Sequence, residues 1–264
     1  MSQSNHKVRF QTFSSRRYPV ASSSTLWRYL HFEKFASLLE STSLYHSRLD
    51  CLGDPFEGSV TASYVSKRDS GESSGYIPFP EVESVNNERL TLVRYATCWH
   101  KSDIESPAMW KLYSQEDKGV AVVTTFQRLA DSVNTSSVMP AILGPVEYFD
   151  YSADDMSLPG GLTGRPGYSK RHVFEHEQEV RGMVTLKPNP EDPSAMFTAE
   201  YVEELRATQP RGIYVPVDID ALISGVVVSP SAQQWFVDLV TSYASHHNLA
   251  DRVRASGLLA TPVF

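Results

Sequence analysis

The run Lys170-Arg171-His172-Val173-Phe174-Glu175-His176-Glu177-Gln178-Glu179-Val180-Arg181 is the part of this chain richest in groups able to do chemistry. Glu175, Glu177 and Glu179 alternate just where an apolar run begins. In an extended chain they share one face, while His176 and Gln178 point to the other. Carboxylates so close repel one another, so they must be exposed, paired with Lys170 or Arg181, or held for use as a fixed negative site. The plainer reading is a solvated strand entry with ordinary ion pairs. A helical segment would instead place His172 and His176 at i and i+4, a metal-binding spacing. The Glu of a His-Glu-x-x-His site is absent from its place, so no metal ligand is assigned.

Trp27-Arg28-Tyr29 sets an arginine between two aromatics, a pattern that could clamp a phosphate or carboxylate beside a stacking surface. Met109-Trp110-x-x-Tyr113 puts two large aromatics on about one helical face, where packing is the common reason for them. Asp54 and Glu57 could coordinate a metal, although Pro55 and Gly58 explain their neighbourhood as turn chemistry. Cys98 and His100 fall on one face of an alternating stretch, read as a core cysteine and a partly exposed histidine. No Ser-His-Asp or Cys-His set stands out.

The elements that must position these groups follow from periodicity. Leu26 to Leu30 alternates as a strand, and Phe32, Phe35, Ala36 and Leu39 recur at helical spacing. Leu44 to Leu49, Leu90 to Trp99, Gly119 to Phe126, Ile142 to Tyr151, Val180 to Leu186, Ile213 to Val217 and Gly225 to Val228 read as strands. Helices are expected from Pro107 through Ser114, over Gln127 to Val133, over Ser194 to Thr208, and after Ser229-Pro230. In the last of these Trp235, Phe236, Leu239, Val240 and Tyr243 make the core stripe. Without a βαβ period, a Gly-x-Gly-x-x-Gly or a Walker loop, the fold class is α+β: a mixed, mostly antiparallel sheet with flanking helices. Residues 1–24 read as a polar arm, frayed or capping, ahead of a single domain over 25–264. Surface insertions are expected near 66–88 and over the Gly- and Pro-rich 152–169, a stretch of the kind that serves as a lid or a plain connection.

The 264 residues are 41% apolar and 21% charged, which excludes disorder, collagen and small disulfide scaffolds. No apolar run approaches the roughly 20 residues of a bilayer-spanning helix. The N-terminus has no apolar signal core, and the two cysteines fit a reducing cytosol, so a cytoplasmic protein is expected. The triplet Asn134 to Ser136 then reads as an accident. The net charge of -7 argues against broad phosphate binding while leaving room for a local basic pocket.

Taken in order, Trp27-Arg28-Tyr29, Asp54-Pro55-Phe56-Glu57, Met109-Trp110-x-x-Tyr113 with Gly119, and Phe174-Glu175-x-Glu177-x-Glu179-Val180-Arg181 resemble the mainly bacterial domain of unknown function 2971. Pro216-Val217-Asp218, Val227-Val228-Ser229-Pro230, Trp235 and the closing Ser256 to Phe264 extend that resemblance over about residues 26–264. It supplies boundaries and candidate residues without an activity.

A more distant similarity, to ADP-ribosyltransferases, implies chemistry. Those enzymes run from a strand with His or Arg, through a helix and a strand, to a box with Ser or Tyr and then a strand carrying a catalytic Glu. Arg28 or Tyr29 would fill the first position, Trp110 and Tyr113 the second, and Glu177 or Glu179 the third. Glu177-x-Glu179 is similar to the paired Glu of arginine-modifying members. No His-Gly or Arg-Gly follows in the first box, His31 does not substitute, and no Ser-Thr-Ser is present. The resemblance implies NAD as substrate, with Glu179, Glu177 and Tyr113 catalytic and Arg28, Tyr29, Trp110 and Arg181 binding the dinucleotide. The acceptor, protein or nucleic acid, stays open, in a bacterial toxin or phage-defence setting. Two alternatives stand beside it: a metal-dependent phosphodiesterase or nuclease built on Asp54, Glu57 and the Glu cluster, and a non-enzymatic binding module whose boxes are core.

Overall fold

The apolar runs near residues 26–30, 94–101, 119–125 and 179–185 become neighbours in one sheet of a computed structural model. It describes residues 9–70, 80–114, 117–133, 141–156, 167–188, 190 and 192–259. In chain order the elements begin with β1 (Gln11–Thr12), β2 (Thr25–His31), α1 (Phe32–Ser41), β3 (Ser43–Arg48), α2 (Ala62–Ser70) and α3 (Pro80–Val93). Next come β4 (Arg94–Lys101), α4 (Pro107–Tyr113), β5 (Gly119–Thr125), α5 (Phe126–Ser132), β6 (Ala141–Pro145), β7 (Glu147–Phe149) and β8 (Ser169–Arg171). The chain continues through β9 (Glu179–Thr185), α6 (Ala199–Thr208), β10 (Gly212–Pro216), α7 (Ile219–Leu222), β11 (Gly225–Val228), α8 (Gln234–Ser245) and β12 (Val253–Ala255).

The class is α+β, with a mostly antiparallel sheet and flanking helices. Among the described residues the main sheet has ten strands, its path running β1-β6-β9-β4-β2-β5-β11-β12. Only β1–β6 and β11–β12 pair in parallel within it; β7 and β8 form a small parallel pair apart. The apolar core includes Leu26 and Leu30 of β2, Val120 and Val122 of β5, Phe35 and Leu39 of α1, and Phe236 and Val240 of α8. Each such buried side chain stabilises by about 1.5–3 kcal/mol.

One strand edge forks. β4 gives its whole length on one side to β9, from Arg94↔Thr185 to His100↔Glu179. On the other side it pairs β2 only at Leu26↔Lys101 and Trp27↔His100, and β3 only at Ser47↔Ala96 and Arg48↔Tyr95. Residues Thr97, Cys98 and Trp99 lie in the gap, where β2 and β3 part. A split of this kind opens a concavity in a surface that continuous pairing would close.

Several sequence expectations change. Within 66–88 the described parts, 66–70 and 80–88, are helical. Leu92 and Val93 at the end of α3 pack with Tyr201, Val202 and Leu205 of α6, while the buried Tyr64 of α2 donates to Glu83 at 2.6 Å. The strand expected from Leu90 therefore starts at Arg94. The expected strand 142–151 breaks at Pro145, after which Val146 N–H goes to Glu179 O and Glu147 N–H to Tyr168 O. The helix expected from Ser194 forms as a 3₁₀ turn followed by α6, capped by the Thr198 hydroxyl. Ser229-Pro230 makes a tight turn, and α8 starts only at Gln234. Its buried face is Phe236, Val240 and Ala244, at four-residue spacing, so Trp235 and Leu239 stay half in solvent. Residues 9–24 lie against the sheet, with Phe10 buried against Gly182 and Phe13 over Gly144. Pro159-Gly160-Gly161, Gly164, Pro166, the Asn134 to Ser136 triplet and the final residues to Phe264 lie outside the described residues. Among those described, no helix is long and apolar enough to cross a membrane.

Candidate functional site

A cleft of about 720 Å³ occupies the fork between β2, β3 and β4. Arg28, Tyr29, Tyr113, Glu177, Glu179 and Arg181 all line it, so six of the seven sequence-nominated residues converge from segments far apart in the chain.

Its acidic end is built where β9 begins. His172 to Glu177 forms a 3₁₀ turn, neither the strand nor the α-helix considered from sequence. Gln178 then takes the left-handed conformation at φ 42° before Glu179 enters the sheet. That turn undoes the alternation. Glu175 points outward and accepts from the Tyr18 hydroxyl at 3.0 Å, whereas Glu177 and Glu179 converge on the Lys170 ammonium at 2.5 and 3.4 Å. Tyr113, near the end of α4, donates to the other oxygen of Glu177 at 2.7 Å. Burial and then this carboxylate push the Tyr113 hydroxyl up from its ordinary range, so it stays a donor.

Arg181 lies beneath. Its Nε and Nη2 meet Glu179 at 2.9 and 3.0 Å, its Nη1 and Nη2 meet Glu57 at 2.7 and 2.6 Å, and Nη1 also meets Gly167 O at 2.7 Å. Those bonds use all five guanidinium donors, and the side chain is buried, so Arg181 has none left for a ligand. The expectation that it binds a dinucleotide is corrected: it fixes Glu179. Burial alone would raise the Glu179 carboxyl, but the charges of Arg181 and Lys170 outweigh it and hold the group ionised to about pH 2. Three carboxylates (Glu57, Glu177, Glu179) face two cations here, which leaves one negative charge over.

The basic end is different. Arg28 on β2 reaches across the fork to Tyr45 O on β3 at 3.0 Å, with its guanidinium 5.7 Å from the Trp99 ring centre. Among the described residues no carboxylate lies within ion-pair distance of it. Burial accordingly lowers its pKa to about 10, a value at which it is still charged near neutrality. A partly buried cation without a counter-charge in the wall of a cleft is a natural seat for an anion.

The aromatics divide by role. Tyr29 lines the cleft, and its hydroxyl accepts from Ser106 N–H at 3.0 Å. Trp110 does not line it, which corrects its assignment as a binding residue. Its ring backs Tyr29 edge-on at 4.9 Å, and its Nε1 donates to Glu105 at 3.4 Å. Ser106 caps α4 and Pro107 opens it, so the local sequence fixes both aromatics at once. Cys98 and His100 also line the cleft. Burial pushes the Cys98 thiol up and the His100 ring down, and His100 Nδ1 lies 2.6 Å from Glu177 O.

The metal alternative loses its ligands. Asp54 is forked by Arg171 at 2.8 and 3.3 Å and receives Phe56 N–H in an Asx turn, and Glu57 is forked by Arg181. Among the described residues no three His, Cys, Asp or Glu side chains gather closely enough to hold a metal ion. Sequence reasoning named Lys170 as an ion-pair partner and Glu57 as a metal candidate within a turn box, saw neither beside Glu179, and gave Tyr45 and Tyr214 of the cleft wall no role.

No family model matches the chain, that of the domain of unknown function 2971 included, and no curated protein matches it. A solved structure, Thermus sp. 2.9 DarT in complex with ADP-ribosylated ssDNA, is similar at 13% identity and a TM-score of 0.34. That match covers 90% of this chain and 95% of that one. A likeness of that strength assigns no chemistry to the cleft.

Proposed function

We propose that the cleft binds NAD and cleaves its nicotinamide–ribose bond, transferring the ADP-ribosyl group to an acceptor or to water, in the manner of an ADP-ribosyltransferase. One observation carries the reading. Arg28, Tyr113, Glu177 and Glu179, which the resemblance nominated from three distant boxes, line a single cleft with the cation on β2 and the carboxylates at the start of β9 and in the turn before it. The residues fit a dinucleotide because Arg28 is a charged donor without a carboxylate partner among the described residues, which suits a pyrophosphate, and Tyr29 and Tyr113 are aromatic walls.

Bond cleavage leaves the electron pair on the nicotinamide nitrogen and positive charge on the ribose, as in glycoside hydrolysis. Glu179, ionised and immobilised by Arg181, supplies a fixed negative charge that needs no reorganisation as that charge develops. Glu177, steered by Tyr113 and Lys170, is the carboxylate able to take a hydrogen bond from a ribose hydroxyl or to activate the acceptor. Arg28 holds the phosphates. Tyr113 also bounds the space for the departing ring.

The test is nicotinamide release from NAD by the purified chain, compared with Glu177→Gln and Glu179→Gln proteins of matched melting temperature. Release that either substitution lowers by about 100-fold or more fits the loss of an electrostatic contact in the transition state. A protein whose melting temperature NAD does not move, and which releases no nicotinamide, would overturn the reading. A cytoplasmic setting within a toxin or phage-defence system belongs to the same proposal, and such an acceptor would be found by labelling with radioactive NAD.

A further inference from the structure

The cleft continues past Arg28 into a region that the chemistry above does not use. Tyr45 of β3 and Tyr214 of β10 are paired directly across the two strands, with ring centres 5.4 Å apart at 66°. Both line the cleft, and both stand well out into solvent at 42% and 57% exposure, which is unusual for large aromatics in a strand. They are nonetheless held in place. A Cβ on Gly212 would sit 2.0 Å from the Tyr45 hydroxyl, so the ring lies flat across that glycine. The Tyr214 hydroxyl lies 3.4 Å from the Ser37 hydroxyl on α1. The carbonyl of Tyr45 is the one that Arg28 grips.

Strand order gives the distances. From Glu179 on β9 the sheet steps to β4, then β3, then β10, and β3 has parted from β4 by Tyr45, so the tyrosine pair stands at least two to three strand spacings away, more than about 10 Å. Arg28 bridges the interval. A ligand with a reacting ribose at one end, phosphates in the middle and a flat ring at the other matches this order of groups.

We infer that Tyr45 and Tyr214 form the stacking platform for the adenine base of the dinucleotide. The inference rests on reading the cleft as a dinucleotide site and adds where the base lies and which residues select for it. The platform places the pyrophosphate against Arg28 and the nicotinamide riboside against Tyr113, Glu177 and Glu179. The exposed Lys34 of α1, also in the cleft wall and without an ion-pair partner among the described residues, can meet a phosphate from the solvent side.

Calorimetric titration with three probes tests it: NAD, ADP (which keeps the base and the phosphates) and nicotinamide mononucleotide (which lacks the adenosine). The proteins are wild type, Tyr45→Ala, Tyr214→Ala and the corresponding Phe variants. Loss of one base–aromatic stack is expected to raise the Kd for NAD and ADP about tenfold in each Ala variant, with Phe restoring it. Nicotinamide mononucleotide should bind all five proteins alike. Ala variants that bind NAD and ADP as wild type does, or that weaken all three probes together, overturn the platform. Tyrosine-dependent ADP binding in a protein that never cleaves NAD would sustain the platform while the transferase reading fell. Wild type that binds neither NAD nor ADP would remove both.

Discussion

Arg181 is the residue on which the acidic end of the cleft depends. Two carboxylates, Glu57 and Glu179, are buried against it, and nothing else among their described contacts brings Glu57 a cation. Taking out the guanidinium would leave negative charge stranded in a low-dielectric interior, which costs about 3–5 kcal/mol, whereas the intact pair adds little net stability. Arg181→Met should therefore lower the urea midpoint sharply. A double replacement of Arg181 and Glu57 by apolar residues should recover part of that loss, because only Glu179 then stays buried, and it keeps Lys170. Equal loss in the single and double variants would show that packing, and not stranded charge, sets the cost.

Elements hold the cleft open by what they leave unpaired, and one glycine shows how the back of the sheet is tied to it. Gly182 follows Arg181 on β9 and faces the opposite side, where a Cβ would come within 2.6 Å of the Phe10 ring and 3.1 Å of the Thr97 methyl. Gly182→Ala should push Phe10 out of its seat, loosen residues 9–13 and cost about 1–3 kcal/mol, as overpacked cores do. Faster proteolysis of the N-terminal segment with unaltered nucleotide binding would bear this out. Weaker binding at unchanged stability would contradict it. The same element shows what a sequence can and cannot reveal. The strand over Val180 to Leu186 is legible because its residues, Arg181 and Thr185 aside, are apolar or small and a charged run precedes them. The glycine's partner comes from a segment that reads as a polar arm, since one buried phenylalanine among Ser, Gln and Arg gives no periodic signal. The turn chemistry around Gln178 was hidden for a related reason: a non-glycine residue at positive φ leaves no mark in composition.

Across the whole molecule, the cleft was legible as a set of residues but not as a circuit of bonds. Arg28, Tyr113, Glu177 and Glu179 stand out by type. That Arg181 is used up, that Trp110 sits behind Tyr29, and that Glu57 closes the network depend on which side of a forked strand each lies. No local spacing records that. The network also shapes how the fold responds to acid, together with one group outside the cleft. His46 of β3 is buried beside Phe10, with Nδ1 3.0 Å from Leu44 O and no partner for Nε2 among the described residues. Burial, aided by the Arg28 charge, holds it neutral down to about pH 3. A base whose folded pKa is depressed favours folding fully above its unfolded value near 6.5, because below it only the unfolded chain takes the proton. Stability should thus fall from about pH 6.5, by up to about 1.4 kcal/mol per pH unit. Glu179 acts lower down. Its depressed carboxyl contributes fully above about 4.5 and loses that contribution as pH falls toward 2. Between pH 7.5 and 5 the carboxylate and imidazole effects separate, so urea midpoints over that range report on His46 and, through its own burial, His100, with little from Glu179. His46→Leu, close in volume and without a titrating ring, should reduce the slope there to the part that His100 carries and leave the steeper loss below pH 4.5 in place. A variant whose midpoint falls as steeply as wild type from pH 6.5 would show that the buried imidazole is not what the proton reaches first.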